Sequence, residues 1–166
     1  MALIKMELRR WQPVLVHSSR TAVAAVASVL AARLFRLPET YWAPITTLLI
    51  TQSSIRTTLA VSGERFIGTV LGAAFGAIMA SHFGPNPLVF GISLFTLGVL
   101  TAAVHSNRSA YRFAGVTLAI VLLVPRSGPA WQMALYRFSE VCVGLGVALA
   151  LTVVWPENEE PPSGKT

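Results

Sequence analysis

The chain has 166 residues, of which 54% are hydrophobic and only 12% are charged, and its mean hydropathy is +0.62. A soluble domain of this size carries about twice that charged fraction. Residues 66–107 contain no Asp, Glu, Lys or Arg. The composition therefore argues against a soluble domain and predicts an all-α integral membrane protein that has the lipid bilayer as a partner. The net charge of +6 fits bases at the membrane surface, and no nucleic-acid partner is expected.

Six apolar segments follow one another, and we interpret each as a transmembrane helix. Continuous apolar runs favour helices over the alternating strands of a barrel. The predicted spans are residues 21–35, 41–54, 65–83, 88–105, 111–124 and 131–155. They form one predicted membrane domain, residues 1–156. Residues 157–166 are polar and rich in Pro, which predicts a disordered tail.

The distribution of Lys and Arg predicts the orientation of these spans. With the N-terminus inside the cell, the inner segments hold nine Lys and Arg residues and the outer segments hold four. Because positive residues accumulate on the cytoplasmic side, both termini are expected to be cytoplasmic.

An internal echo divides the chain into two halves. The segment RFIGTVLG at 65–72 resembles RFSEVCVG at 137–144, and Tyr41 and Tyr111 precede these segments by similar distances. The halves, about 15–84 and 85–156, would each hold three spans and so lie in opposite orientations. Such inverted repeats are typical of transporters, which bind their substrate where the repeats meet.

Small residues recur every four positions along the third span, at Gly68, Gly72, Gly76 and Ala80. This spacing predicts close packing against another helix. The sequence leaves open whether the partner helix belongs to the same chain or to a neighbouring one.

A family resemblance rests on the stretch LPETYWAPITTLLITQSSIRTTLAVSGERFIGTVLGAAFG. It resembles the fusaric acid resistance / aromatic acid exporter superfamily, at residues 41–44, Gln52-Ser53, Arg65, Gly68-Thr69 and Gly72. The resemblance implies a multi-pass protein of the bacterial inner membrane that exports aromatic or other organic anions with the proton gradient. It extends to the membrane part of aluminium-activated malate transporters, which implies a passive dimeric anion channel as the alternative.

A third reading is a non-transporting membrane subunit of a larger complex. A single six-span unit also predicts a homodimer, another homo-oligomer, or pairing with a second small subunit. The chain has no nucleophile elbow, phosphate loop or paired-carboxylate motif, so we expect neither an enzyme nor a cofactor. Its one cysteine and scattered histidines predict no metal site.

Three arginines are candidates for the transport pathway. Arg65 and Arg137 occupy equivalent places in the two halves, and their planar guanidinium groups suit a carboxylate. The alternative is that Arg65, at the start of the third span, extends its side chain to the membrane surface. Arg20 has the same alternative.

Glu140 is the candidate for proton coupling, because it lies within the sixth span, three residues after Arg137. A purely structural ion pair on one face of the helix is the alternative. Gln52 and Ser53 could bind a solute at the end of the short second span, and the alternative is that they form the polar cytoplasmic end of that span. Trp42 could stack on an aromatic substrate or belong to the aromatic residues at the membrane surface.

Overall fold

The computed structural model describes residues 2–51, 55–103, 108–125 and 128–155. This part of the chain contains no strand and forms six helices, which confirms the all-α prediction. The helices are α1 (Ala2–Leu34), α2 (Trp42–Ile50), α3 (Ile55–His82), α4 (Pro87–Ala103), α5 (Arg108–Leu123) and α6 (Ala130–Val154). The predicted tail, residues 157–166, lies outside the described residues.

The helices differ in how much of a membrane they could cross. Residues Val14–Leu34 of α1 and Ala130–Val154 of α6 have the length and apolar composition of membrane-spanning helices. At 1.5 Å per residue, the nine residues of α2 extend about 14 Å, roughly half of a 30 Å hydrocarbon core. The helix α2 alone is therefore too short to cross, in contrast to the span predicted over 41–54.

The third helix begins earlier than its apolar content suggested. It starts at Ile55, ten residues before the predicted boundary at Arg65. Hydropathy marks where a segment becomes apolar, whereas a helix also includes the polar turns that precede that point. Arg65 consequently lies inside α3, and its residue is only 3% exposed. The Arg65 side chain is therefore enclosed by the chain.

The two helices that carry the Arg-Phe echo, α3 and α6, pack against each other. The rings of Phe66 and Phe138 meet there with centroids 5.6 Å apart. The other helix contacts correspond when α1, α2 and α3 are matched with α4, α5 and α6. The α3–α5 contact then corresponds to the α6–α2 contact. Likewise, α4 lies against α5 and α3, and α1 lies against α2 and α6.

Gly68, Gly72 and Gly76 of α3 pack on α5 of the same chain. A Cβ added to Gly72 would lie 2.9 Å from Cβ of Thr117, and one added to Gly76 would lie 3.1 Å from Cβ of Val121. At Gly68 an added Cβ would meet the backbone of α5 at Ala110. Ala80, which continues the stripe, packs in a buried cluster with Leu122 and Ala130.

Gly144 has the same relation to α2. An added Cβ would lie 2.6 Å from the carbonyl oxygen of Ala43 and 2.7 Å from Cβ of Thr46. Thr46 precedes Thr117 by 71 positions, and Gly72 precedes Gly144 by 72. The α3–α5 and α6–α2 contacts therefore use corresponding residues of the two halves.

Candidate functional site

The connection between α1 and α2 places an acidic residue against α6. Arg36 adopts the left-handed conformation with φ of 53°, and the amide of Leu37 donates a 3.0 Å hydrogen bond to the carbonyl of Ala32. This arrangement ends α1 and reverses the chain. As a result, the amide of Glu39 donates a 3.2 Å hydrogen bond to Oε1 of Glu140.

Glu39, Arg137 and Glu140 form an ion-pair cluster, which we call the acid cluster. Nη2 of Arg137 donates to Oε2 of Glu39, and Nη1 lies 3.2 Å from Oε2 of Glu140. Glu140 is fully buried, Arg137 is 3% exposed, and the Glu39 side chain is 28% exposed. The predicted i,i+3 pairing of Arg137 and Glu140 is present, but a second carboxylate shares the arginine.

Two aromatic residues hold the acid cluster from the α2 side. The Tyr41 hydroxyl and the Trp42 indole Nε1 each donate a 2.9 Å hydrogen bond to Oε2 of Glu39. The Arg137 guanidinium also lies over the Trp42 ring, 4.2 Å from its centroid. A cation at this distance is attracted to the ring face. Trp42 therefore contacts both charges of the Glu39–Arg137 ion pair.

Hydrogen bonding within the acid cluster is incomplete. Among the described residues, Nε and Nη1 of Arg137 and Oε2 of Glu140 are buried without a hydrogen-bond partner. The Nη1–Oε2 approach of 3.2 Å is thus an ion pair without hydrogen-bond geometry. Buried polar atoms usually find a partner, and those that do not need an explanation.

An open cavity of about 370 Å³ reaches the acid cluster from the end of the bundle where α1 joins α2 and α5 joins α6. Glu39 is the one acidic residue among the described residues that line it. The remaining lining is mostly proline and uncharged side chains from the two connections and the first turns of α6: Pro38, Pro125, Gly128, Pro129, Gln132, Met133 and Tyr136. The cavity therefore connects the more exposed carboxylate of the cluster to the outside of the bundle.

Arg65 lies on the opposite side of the α3–α6 contact. Its guanidinium carbon is 4.7 Å from the centroid of the Phe113 ring on α5. Among the described residues, its buried Nε has no hydrogen-bond partner. The two echoed arginines therefore make the same kind of contact. Arg137 of α6 lies over the Trp42 ring of α2, and Arg65 of α3 lies over the Phe113 ring of α5.

The two arrangements differ in charge. The two helix contacts are related by shifts of 71 and 72 positions in the sequence. By these shifts, Glu39 corresponds to Ala110, 71 positions later, and Glu140 corresponds to Gly68, 72 positions earlier. Neither residue carries an acid, and Gly68 packs directly on the backbone of Ala110. Among the described residues, the two positions that correspond to Glu39 and Glu140 therefore hold no carboxylate beside Arg65.

Arg20 is separate from both arrangements. It is fully buried in α1 and donates a 3.1 Å hydrogen bond from Nη2 to Oγ1 of Thr152, near the end of α6. Arg20 is therefore enclosed between α1 and α6. Its place between α1 and α6 suits a role in holding these helices together.

The structure brings together Trp42, Arg137 and Glu140 from the predicted set. Gln52 and Ser53 lie outside the described residues. Glu39 was missed by the sequence reasoning, although it stands directly before Tyr41-Trp42 in a chain of only seven acidic residues. Within the described ranges, no three His, Cys, Asp or Glu side chains form a group that could hold a metal ion.

Comparison with known proteins agrees with the resemblance seen in the sequence. Residues 24–151 match the family described as fusaric acid resistance protein-like. The inner membrane protein YeeA of Escherichia coli K12 is 31% identical over 151 residues, which cover 87% of this chain and 42% of YeeA. The uncharacterized transporter YdhK of the same strain is 27% identical over 162 residues, 92% of this chain and 24% of YdhK.

A third relative, the inner membrane protein YccS of Escherichia coli K12, is 29% identical over 118 residues, 70% of this chain and 16% of YccS. The chain spans less than half the length of each of these relatives. The family match nevertheless covers well over half of the chain. The chain therefore belongs to the fusaric acid resistance protein-like family, with inner-membrane proteins among its relatives.

Proposed function

We propose that this chain is a membrane transport unit for small organic anions, aromatic carboxylates among them, and that Arg65 binds the anion. The observation that carries the proposal is the Arg65 arrangement: a buried guanidinium on the Phe113 ring, with Ala110 and Gly68 at the places where acids balance Arg137. A relative of the chain is named a transporter, which supports a transport function.

The charge at Arg65 favours an anion as the ligand. A buried cation is unfavourable unless an opposite charge and hydrogen-bond acceptors accompany it. A carboxylate supplies both, because its two oxygens match the guanidinium fork. The adjacent Phe113 ring adds an apolar surface on which an aromatic substrate could pack. Arg137, predicted as a second anion ligand, already has two carboxylates of the chain as partners.

The proposed architecture is six spans in two inverted repeats of three, with both termini in the cytoplasm. The matched helix contacts support this proposal. The contact between Phe66 and Phe138 supports it further, because corresponding residues of two repeats touch each other only near the axis that relates the repeats. Repeat-related sites near such an axis suit alternating access to the two membrane faces. In this arrangement Glu140 couples anion movement to proton movement.

Flux measurements with purified protein in sealed vesicles test the proposal. Hydroxybenzoate or malate movement is followed under an imposed pH gradient and, separately, under an imposed voltage. Flux driven by the pH gradient supports proton-coupled export. Voltage-driven current without proton movement identifies the passive channel instead. A protein that moves neither anion under either force is a non-transporting subunit, and the proposal then fails.

Two variants locate the anion site. Arg65→Gln should lower the flux by about 10- to 100-fold, the size expected for losing a charge-assisted contact of about 1.5–3 kcal/mol. Arg33→Gln is the matched control, because Arg33 lies exposed near the end of α1, and it should leave the flux unchanged. Equal fluxes for the two variants would remove Arg65 from the pathway. Cross-linking in native membranes tests the predicted homodimer separately.

A further inference from the structure

The acid cluster has one negative charge more than it has positive charge. With all three groups ionised, Glu39 and Glu140 contribute two negative charges and Arg137 one positive charge. Among the described residues, the other titratable groups next to the cluster are Tyr41, which donates to Glu39, and Tyr136, which lines the cavity. Within the same residues, the charged groups that act on Glu140 are Arg137 and Glu39. The described surroundings therefore hold no further cation that balances the second carboxylate.

Burial makes this excess charge unfavourable. Glu140 is 0% exposed and Arg137 is 3% exposed, so water does not screen them as it would at a surface. A charged group without a partner in such surroundings gives up its charge by binding or releasing a proton. One added proton would make the cluster neutral, and the pair of carboxylates would share that proton as a unit.

The incomplete hydrogen bonding points to the same conclusion independently of charge. Oε2 of Glu140 is buried and receives no hydrogen bond from the described residues, although Nη1 of Arg137 is 3.2 Å away. A protonated carboxyl group has an O–H donor that an ionised one lacks. The cluster therefore has an oxygen in place to hold a proton.

Access comes through the cavity beside Glu39. Its side chain is 28% exposed and lines the cavity, whereas Glu140 lies behind it, with Oε1 on the Glu39 backbone amide. Water in the cavity can therefore reach the carboxylate of Glu39 without reaching that of Glu140.

We propose that the Glu39–Arg137–Glu140 cluster binds one proton, which arrives through this cavity and is shared by the two carboxylates. The proton passes from water in the cavity to the carboxylate pair, which then carries one negative charge. Arg137 balances that charge. The use of this proton to drive anion movement rests on the proposed transport function, but proton binding itself does not.

Trp42 provides a reporter for the proton, because its indole donates to Glu39 and lies under Arg137. The chain has four tryptophans, and replacing Trp11, Trp131 and Trp155 with Phe leaves only Trp42. Its fluorescence in detergent micelles is recorded from pH 5 to 9. We expect one transition in this reporter protein. We expect none in reporter proteins that also carry Glu39→Gln or Glu140→Gln, because each leaves a neutral ion pair.

Glu64→Gln is the matched control and should keep the transition, since Glu64 belongs to α3 and not to the cluster. A transition that persists in the Glu39→Gln or Glu140→Gln protein overturns the proposal, as does a reporter protein without a transition. Size-exclusion chromatography confirms that each variant is folded. If Glu140→Gln does not fold, the partly exposed Glu39 position decides the outcome.

Vesicle flux separates this proposal from the proposed function. Glu39→Gln should reduce the stimulation of anion flux by a pH gradient at least tenfold. Arg65→Gln should lose flux yet keep the fluorescence transition. A protein that titrates but moves no anion would retain the proton site and lose the transport function. Equal pH stimulation in Glu39→Gln and the unmodified protein would overturn the role of the proton in transport.

Discussion

The rings of Phe66 and Phe138 meet edge to face, with centroids 5.6 Å apart and planes at 61°. Each ring directly follows one of the two echoed arginines. From the α3–α6 contact, the Arg65 side chain extends towards α5 and the Arg137 side chain extends towards α2. The Phe–Phe contact therefore fixes the sides on which the two guanidinium groups lie.

A double-mutant cycle measures this contact. Phe66→Leu and Phe138→Leu should each destabilise the protein, and the double variant should lose less than the sum of the two. The difference should be about 0.5–1.5 kcal/mol, the value of an edge-to-face aromatic pair. Unfolding in mixed micelles gives the free energies. Additive losses would mean that the two rings do not stabilise each other.

Gly144 and Gly146 form a matched pair within α6. Gly144→Ala should destabilise by about 1–3 kcal/mol, because the new Cβ meets the Ala43 carbonyl and Thr46. Gly146→Ala meets nothing within 4 Å and should be neutral or stabilise by up to about 1 kcal/mol through helix propensity. The same unfolding assay compares them. Equal stabilities would contradict the close packing of α6 on α2.

Arg137 should matter for stability more than an exposed arginine does. Arg137→Met leaves two carboxylates without their cation and should cost about 3–5 kcal/mol, whereas the exposed Arg33→Met should change stability by less than about 0.5 kcal/mol. Adding Glu39→Gln and Glu140→Gln to Arg137→Met should recover most of the loss. A triple variant no more stable than Arg137→Met would argue against charge imbalance as the cause.

Thr152 should contribute through its contact with Arg20. Thr152→Val removes an acceptor from a buried guanidinium and should destabilise by about 1.5–3 kcal/mol. Thr96→Val is the control, because half-buried Thr96 also bonds the carbonyl four residues earlier but has no arginine partner in the described contacts. The comparison uses thermal unfolding in micelles. Similar melting temperatures for the two variants would contradict a stabilising link between α1 and α6.

Cysteine labelling tests the proposed orientation. In a Cys142→Ser background, Pro85→Cys, in the connection after α3, should react with a membrane-impermeant maleimide on intact cells after the outer membrane is opened. Arg56→Cys, at the start of α3, should react only after the inner membrane is opened. Labelling of both positions from the same side would exclude α3 as a membrane span.

Local patterns in the sequence predicted much of this arrangement. The Arg-Phe echo identified the two residues on either side of the α3–α6 contact, and the i,i+3 spacing identified the Arg137–Glu140 pair. The four-residue spacing of Gly68, Gly72 and Gly76 indicated close helix packing. These features depend on helical periodicity, which the sequence displays directly.

Features that depend on long-range contacts were not predictable in this way. Glu39 joins the acid cluster because the chain reverses after α1 and lies on a residue 101 positions away. The depth of Arg65 followed from polar turns that extend α3 beyond its apolar part. The choice of α5 as the partner of the glycine stripe needed the tertiary structure, since spacing alone is the same for any partner.

The length of α6 also relates the acid cluster to the thickness of the bilayer. Its 25 residues extend about 38 Å, which exceeds a hydrocarbon core of roughly 30 Å. A helix of this length adapts to thinner lipid by tilting. Tilting α6 would move Arg137 and Glu140 relative to Glu39, which belongs to a different segment. Lipids of different acyl-chain length should therefore change the strength of the Glu39–Arg137 pair.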